Sequence, residues 1–347
     1  MTTRRLLLAG LPLLSLGLAL LITAILILLL QGDPVKVLET TWSGAFKDSQ
    51  STAAVFNFWI PLTLVGAGLI ISFTAGQWNI GVEGQMMMGA LGASWGAQFL
   101  PLPAELRIPA CLVMAMIGGA LWGWLVAILK TRAGVNEIFG GVALNALADT
   151  MAIYLISGPW QPPEGGSAQS TPLFSLEAKL PVISPELPIS WVTLVLAVSS
   201  VLFVTFLLQQ TRVGLMLKAA GKNARSALLL GVPTEGMTWL AFMLCGALAG
   251  AAGAHRVLHT YHSLRPLVSG GIGFLGLLVV LLVAYRPLIM PFIALALAAV
   301  IAGSASVKIK LDLDQSLTGV LQGLVVLLIL LFNGVRVRLE ASQDPAP

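Results

Sequence analysis

Charge is scarce in this chain. Asp, Glu, Lys and Arg make up only 10% of its 347 residues, while 57% are hydrophobic. A soluble domain carries roughly 25% charged residues. At a mean hydropathy of +0.92, the polar groups are too few to cover a water-facing surface, and the chain reads as an integral membrane protein. Cysteine is also nearly missing. Cys111 and Cys245 both fall inside apolar runs, so neither a disulfide framework nor a thiolate metal site is indicated. Both read as small buried hydrophobes. Catalytic signatures are lacking too. There is no G-x-x-x-x-G-K-[ST] loop, no G-x-S-x-G and no H-E-x-x-H. ATP hydrolysis by this chain is therefore excluded, and hydrolase or zincin chemistry has no motif to stand on. The nearest approach to a metal pattern is "HRVLHTYH", with His255, His259 and His262. On an α-helix these positions share a face. The simpler reading is an interfacial helix at the outer surface, and no metal or other cofactor is expected.

Apolar sequence is abundant, and it comes in runs. Ten segments are long enough to consider as spans: 6–30, 53–73, 85–103, 108–129, 136–157, 189–208, 237–254, 270–285, 288–306 and 316–333. A span needs about 20 mostly apolar residues. Leu6 to Leu30 follows Arg4 and Arg5 as a signal peptide would, but the run is too long and lacks a small-residue cleavage site, so it reads as a retained first helix. The seventh to ninth segments are short or rich in Gly and Pro, which suggests half-helices or re-entrant pieces among them. The expected fold class is all-α: a polytopic membrane protein of about 10 transmembrane helices, some broken or re-entrant, with both termini cytoplasmic. One transmembrane domain is expected over residues 1–338, with a short disordered tail at 339–347.

Orientation rests on Lys and Arg. Arg4, Arg5, Lys130, Arg132, Arg212, Lys218, Lys222, Arg225, Arg286, Arg336 and Arg338 fall on the side of the N-terminus. The opposite side holds the smaller set Lys36, Lys47, Arg107, Lys179, Arg256, Arg265, Lys308 and Lys310. Two outer connections are long, Gln31 to Thr52 and Gly158 to Pro188. One inner loop, 211–236, is unusual. Within it, Val213–Ala220 and Asn223–Leu230 each suit a short helix, with Gly221 as the break, Asn223 as N-cap, and Gly231 and Pro233 as the stop. Leu228, Leu229 and Leu230 are costly to expose. Such an element is either a membrane-surface helix or a docking element for a soluble partner.

A few polar groups stand inside the grease. "QWNIGVEGQMMMGA" (77–90) places Asn79, Glu83 and Gln85 among Gly81, Gly84 and Gly89. "GVNEIFGGVALNALADT" (134–150) holds Asn136, Glu137, Asn145 and Asp149. Acids inside apolar segments are expensive and are candidates for function. Asn145 and Asp149, four apart on one helical face, serve either as interhelical glue or as pathway groups. A second glycine-broken run, "SGGIGFLGLLVVLLVA" (269–284), lies in the other half. Paired broken segments point to a central transport site.

These motifs resemble the permease subunits of ABC importers for nucleosides, within the branched-chain amino acid and ribose permease superfamily. The resemblance is carried by "NIGVEGQMMMGA" (79–90), "VNEIFGGVALNALA" (135–148), "GLMLKAAGKNARSALLLGV" (214–232), the 269–284 run and "LQGLVVLLIL" (321–330). It spans roughly residues 55–333. It implies a translocation pathway for a nucleoside-like solute, or for a simple sugar or riboflavin-like solute. Trp78, Asn79, Glu83, Gln85, Asn136, Glu137, Asn145 and Phe274 are the candidate pathway residues. It implies ATPase coupling through Gly214, Lys218, Gly221, Asn223, Ala224, Arg225, Ala227 and Gly231. The implied partners are an ABC ATPase, a second related permease, an extracytoplasmic substrate-binding lipoprotein and the lipid bilayer of the cell (inner) membrane, with no nucleic acid. An ion-coupled carrier using Glu83, Glu137 or Asp149 is the rival reading. The chain departs from the family at "AYRP" (284–287) and in the basic, His-rich stretch 255–265.

Overall fold

The computed structural model describes residues 32–162 and 170–311, with positions 17, 18, 21, 22 and 24–29 before them. The tenth apolar segment, the tail at 339–347, and Arg4, Arg5, Arg336 and Arg338 lie outside the described residues. Helices are the rule because hydrocarbon offers no partner for a free N–H or C=O, so apolar runs must satisfy their backbone internally. Among the described residues no β-strand forms, only an isolated bridge between Val182 and Ser190.

The helices are α1 (Pro34–Ala45), α2 (Ser49–Thr74), α3 (Val82–Phe99), α4 (Ala104–Ala133), α5 (Glu137–Ser157) and α6 (Trp191–Gln210). They are followed by α7 (Arg212–Lys222), α8 (Ala224–Leu229), α9 (Thr234–His255), α10 (Ile272–Leu282) and α11 (Met290–Leu311). Helix α9 continues into a π-helical turn, Arg256–Tyr261. Among the described residues five helices are long and apolar enough to cross a membrane: α2, α4, α5, α6 and the α9–π run, Thr234–Tyr261. The seventh segment is therefore long enough to span. The eighth, α10, is a half-helix, whose 11 residues rise only about 16 Å.

Helix α1 corrects the reading of 31–52 as a connector. Asp33 caps it, accepting from the Val35 N–H at 2.9 Å, and Pro34 sits in its first turn. Proline there loses no helical hydrogen bond. Next along the chain, Asp48 accepts from the Ser51 N–H at 2.7 Å. The backbone and side chain of Ser51 hold that carboxyl below the usual carboxylate range.

By packing, the described residues divide into one compact unit within 56–295 and another drawn from the stretches before residue 56 and after residue 295. In the second, α1 meets the far half of α11, where Gly303 lies against Thr41 and Gly44 against Ser306. In the larger unit α3, α4 and α9 pack backbone to backbone. A methyl group at Gly89 would strike Gly250, and one at Gly119 would strike the Gly246 carbonyl. Without a hydrophobic drive in lipid, this close approach supplies the dispersion that holds spans together. A buried cluster including Met87, Trp122, Val126, Leu144 and Phe242 fills the space between these helices and α5.

Candidate functional site

The 77–90 stretch is where α2 stops and α3 restarts. Gly76 turns the chain at φ +73°, a left-handed conformation that glycine adopts without a Cβ penalty. Buried Asn79 and Gln85 then close on each other. Asn79 Nδ2 donates to Gln85 Oε1 and Gln85 Nε2 donates to Asn79 Oδ1, both at 3.0 Å. The two amides satisfy one another, which is what a buried polar pair must do.

Asn145 of α5 holds the same turn from outside. Its Oδ1 accepts from the Gly84 N–H at 2.7 Å and its Nδ2 donates to the Ile80 carbonyl at 3.0 Å. Gly81 and Gly141 permit the approach, since a Cβ on Gly141 would lie 2.7 Å from the Gly81 nitrogen. Through these two bonds Asn145 ties α5 to the turn between α2 and α3.

Glu83 is 6% exposed. Its Oε1 accepts from the Gly273 N–H at 2.7 Å and the Phe274 N–H at 3.2 Å. These are free donors in the first turn of α10, which no intrahelical carbonyl can satisfy. The carboxylate thus caps the half-helix and meets the positive end of its dipole. Gly271 enters α10 at φ +78°. Gly273 leaves room for the acid, because a Cβ there would come 3.0 Å from Glu83. The two glycine-broken segments meet here.

A cation that the sequence placed only among the outer charges lies close by. Arg256 is 4% exposed and within electrostatic range of Glu83. Its Nε donates to the Val268 carbonyl at 3.2 Å, its Nη2 donates to Tyr261 Oη at 2.6 Å, and Tyr261 lies beneath the guanidinium at 4.7 Å. Arg256 therefore pins the segment that leads into α10. The three histidines take separate partners. His255 Nδ1 meets Thr193 Oγ1 at 2.8 Å, His259 Nε2 meets Asn57 Oδ1 at 3.0 Å, and His262 Nδ1 meets the Leu258 carbonyl at 3.1 Å. Among the described residues no group of three or more His, Cys, Asp or Glu is placed to hold a metal.

The remaining pathway candidates divide. Asn136 is exposed and caps α5, accepting from the Ile138 N–H at 2.9 Å. Glu137 pairs with Lys130 at 2.9 Å, and Lys130 also donates to Gln77 at 2.5 Å. This network ties the end of α4 to the start of α5. Trp78 and Phe274 are 38% and 49% exposed, and Trp78 meets Phe73 edge-on at 5.3 Å. Asp149 is half-buried, within electrostatic range of Glu83, and has no hydrogen-bond or ion-pair partner among the described residues.

The loop 211–236 forms α7 and α8 largely as its sequence suggests, with one correction. The chain breaks at Asn223, in extended backbone at φ −158°, and Gly221 stays helical. Asn223 Oδ1 caps α8 from the Ser226 N–H at 2.9 Å. Gly221 serves contact instead, for a Cβ on it would strike the Thr74 carbonyl and come within 2.9 Å of the Gly76 nitrogen. Gly214 is buried against Leu207 and Leu208. On α8, Ala227 is buried while Ala224 and Arg225 are exposed, and Leu228, Leu229 and Leu230 are 60%, 84% and 83% exposed. Gly231 ends the unit at φ +83°.

Apolar spans around two broken segments, one capped by an acid of the other, define a multi-pass membrane transport protein of the discontinuous-helix kind. The chain belongs to the family of branched-chain amino acid transport system permease components, whose model matches residues 51–330. It is thus an ABC transporter permease subunit. It is 27% identical to the glucose ABC transporter permease protein TsgB13 of Haloferax volcanii, over 92% of this chain and 87% of that one. It is 25% identical to the guanosine ABC transporter permease protein NupP of Bacillus subtilis, over 92% and 91%. It is 24% identical to the nucleoside ABC transporter permease protein NupB of Lactococcus lactis, over 84% and 83%.

Proposed function

We propose that this chain pairs with a second permease-type subunit in the inner membrane and forms half of an inward pathway for a nucleoside-like solute. An ATPase on a separate chain drives it, and an extracytoplasmic binding protein feeds it. The observation that carries the reading is the seating of Gly221 on Thr74 and Gly76. Helix α8 presents exposed leucines to a partner, α7 carries its displacement, and the Gly76 turn opens directly into the broken segment. An ATPase that moves α8 therefore pushes on the end of α2 beside the site.

With Glu83, Asn79, Gln85 and Asn145 engaged in holding the broken helices, solute contact falls to groups with free valence. Asp149 supplies a carboxylate for paired O–H or N–H donors. Trp78 and Phe274 supply aromatic faces for a ring. A vicinal diol meets the carboxylate equally well whether it belongs to a ribose or a hexose. The glucose relative supports a sugar as the second reading.

Copurification tests the assembly. An ATPase that copurifies with the wild-type chain is expected to be lost when Ala224–Leu230 is replaced. Uptake by this chain alone in ATP-free liposomes under an ion gradient would overturn the reading. Screening the cognate binding protein against nucleosides and hexoses decides between the two solutes.

A further inference from the structure

At the end of the molecule where α2, α6 and α7 terminate, a cleft of about 410 Å³ opens between Thr74, Leu208, Lys218 and the segment 285–289. That volume lies within the roughly 300–1,000 Å³ range of small-molecule sites. Its walls are mainly apolar, from Leu208, Leu288 and Ile289, and its charges are Lys218 and Arg286. Among the described residues neither cation has an ion-pair partner, and the acids at this end are already engaged. Glu137 holds Lys130, and Glu235 holds Arg132 at 2.7 Å.

The 284–287 "AYRP" departure shapes this cleft. Ala284 and Tyr285 both have positive φ, 49° and 63°, a strained turn for side-chain-bearing residues that persists only where its surroundings enforce it. The turn brings Arg286 to the cleft mouth beside Leu288, which is 53% exposed. Lys130, Arg132, Arg212, Lys222 and Arg225 gather at the same end, which marks it as cytoplasmic. Two unpaired cations beside an apolar wall at the inner boundary match a ligand with an anionic head and a hydrocarbon tail.

We propose that this cleft binds the headgroup of an anionic phospholipid of the inner leaflet. Lys218 and Arg286 hold the phosphate, while an acyl chain runs along Leu208, Leu288 and Ile289. Lys218, grouped by resemblance with the ATPase-facing residues, thereby ties α7 to the membrane beside α8. The proposal is independent of the transported solute.

Native mass spectrometry of the full chain in detergent with phosphatidylglycerol or phosphatidylcholine tests this. Wild type is expected to retain phosphatidylglycerol preferentially, and Lys218→Gln with Arg286→Gln to lower that preference about thirtyfold, for two cations at the attraction usual near an anionic surface. If the double variant does not fold, each single variant is expected to lower it about fivefold. Equal retention of the two lipids by wild type would overturn the proposal, as would an unchanged preference in the variants. Displacement of the lipid by glycerol 3-phosphate at similar concentration would make this a soluble-phosphate site and overturn it too.

Discussion

Glu83 and Gly273 stand 190 positions apart in sequence and 2.7 Å apart in space. One glycine-broken segment supplies the carboxylate and the other supplies the helix terminus it caps. The acid that looked stranded in grease therefore holds two half-structures at a fixed distance.

That geometry separates two substitutions at one position. Glu83→Ala leaves the buried Gly273 N–H and the part-buried Phe274 N–H without this acceptor, at a cost of about 1–3 kcal/mol. Glu83→Gln keeps an acceptor but loses the charge, which roughly halves the strength of such a bond. Glu83→Gln is expected to insert and assemble with its uptake impaired, and Glu83→Ala to melt at lower temperature as well. Thermal denaturation in detergent beside proteoliposome uptake reads both. A Glu83→Ala protein as stable as wild type contradicts the cap.

The Asn79–Gln85 pair gives a double-mutant cycle. Either single substitution, Asn79→Leu or Gln85→Met, orphans the surviving amide in a buried place and is expected to cost about 1–3 kcal/mol. The double variant removes both partners and is expected to cost less than the sum of the singles. Additive losses would show that the two amides act apart.

Much of this was legible beforehand, and the gaps have physical causes. The spans were visible because an apolar run in lipid has few options besides a helix. The half-helix was visible in the glycines at 270, 271, 273 and 276. The partner of Glu83 was hidden because a cap contributed across 190 residues leaves no local periodicity. In sequence Arg256 is one more outer charge, since its partners, the Val268 carbonyl and Tyr261, exist only after folding. In sequence Gly221 looks like a break because glycine weakens helices. The fold instead uses its missing Cβ for contact and leaves the break to Asn223. Glu137, grouped with the pathway, is tied to Lys130, a pairing unreadable until the turn between α4 and α5 is in place.

Asp149 tests the division between groups that hold and groups that meet solute. No described partner depends on its carboxylate, so Asp149→Asn is expected to shift stability by no more than about 0.5 kcal/mol, as substitutions away from packed or bonded features do. Uptake is expected to fall about tenfold or more, corresponding to one lost charge-assisted bond of about 1.5–3 kcal/mol. A deoxy solute lacking one hydroxyl of the diol is expected to distinguish wild type from variant much less. Normal uptake by Asp149→Asn would remove this acid from the pathway.

Gly221 carries the mechanical link. In Gly221→Ala the new methyl meets the Thr74 carbonyl, backbone that cannot rotate away. Helix α7 must shift or the Gly76 turn must open, and overpacking of this kind costs about 1–3 kcal/mol. Helix α8 is untouched by the substitution, because Asn223 and its cap on Ser226 lie beyond the break. The partner ATPase is therefore expected to copurify as it does with wild type and to hydrolyse ATP, while solute uptake falls. Gly214→Ala, which meets the Leu207 carbonyl at the other end of α7, is expected to behave alike. ATP hydrolysis and uptake measured on the same proteoliposomes give the ratio that decides. A ratio unchanged in Gly221→Ala would mean that displacement of α8 reaches the pathway by some route other than the Thr74–Gly76 contact.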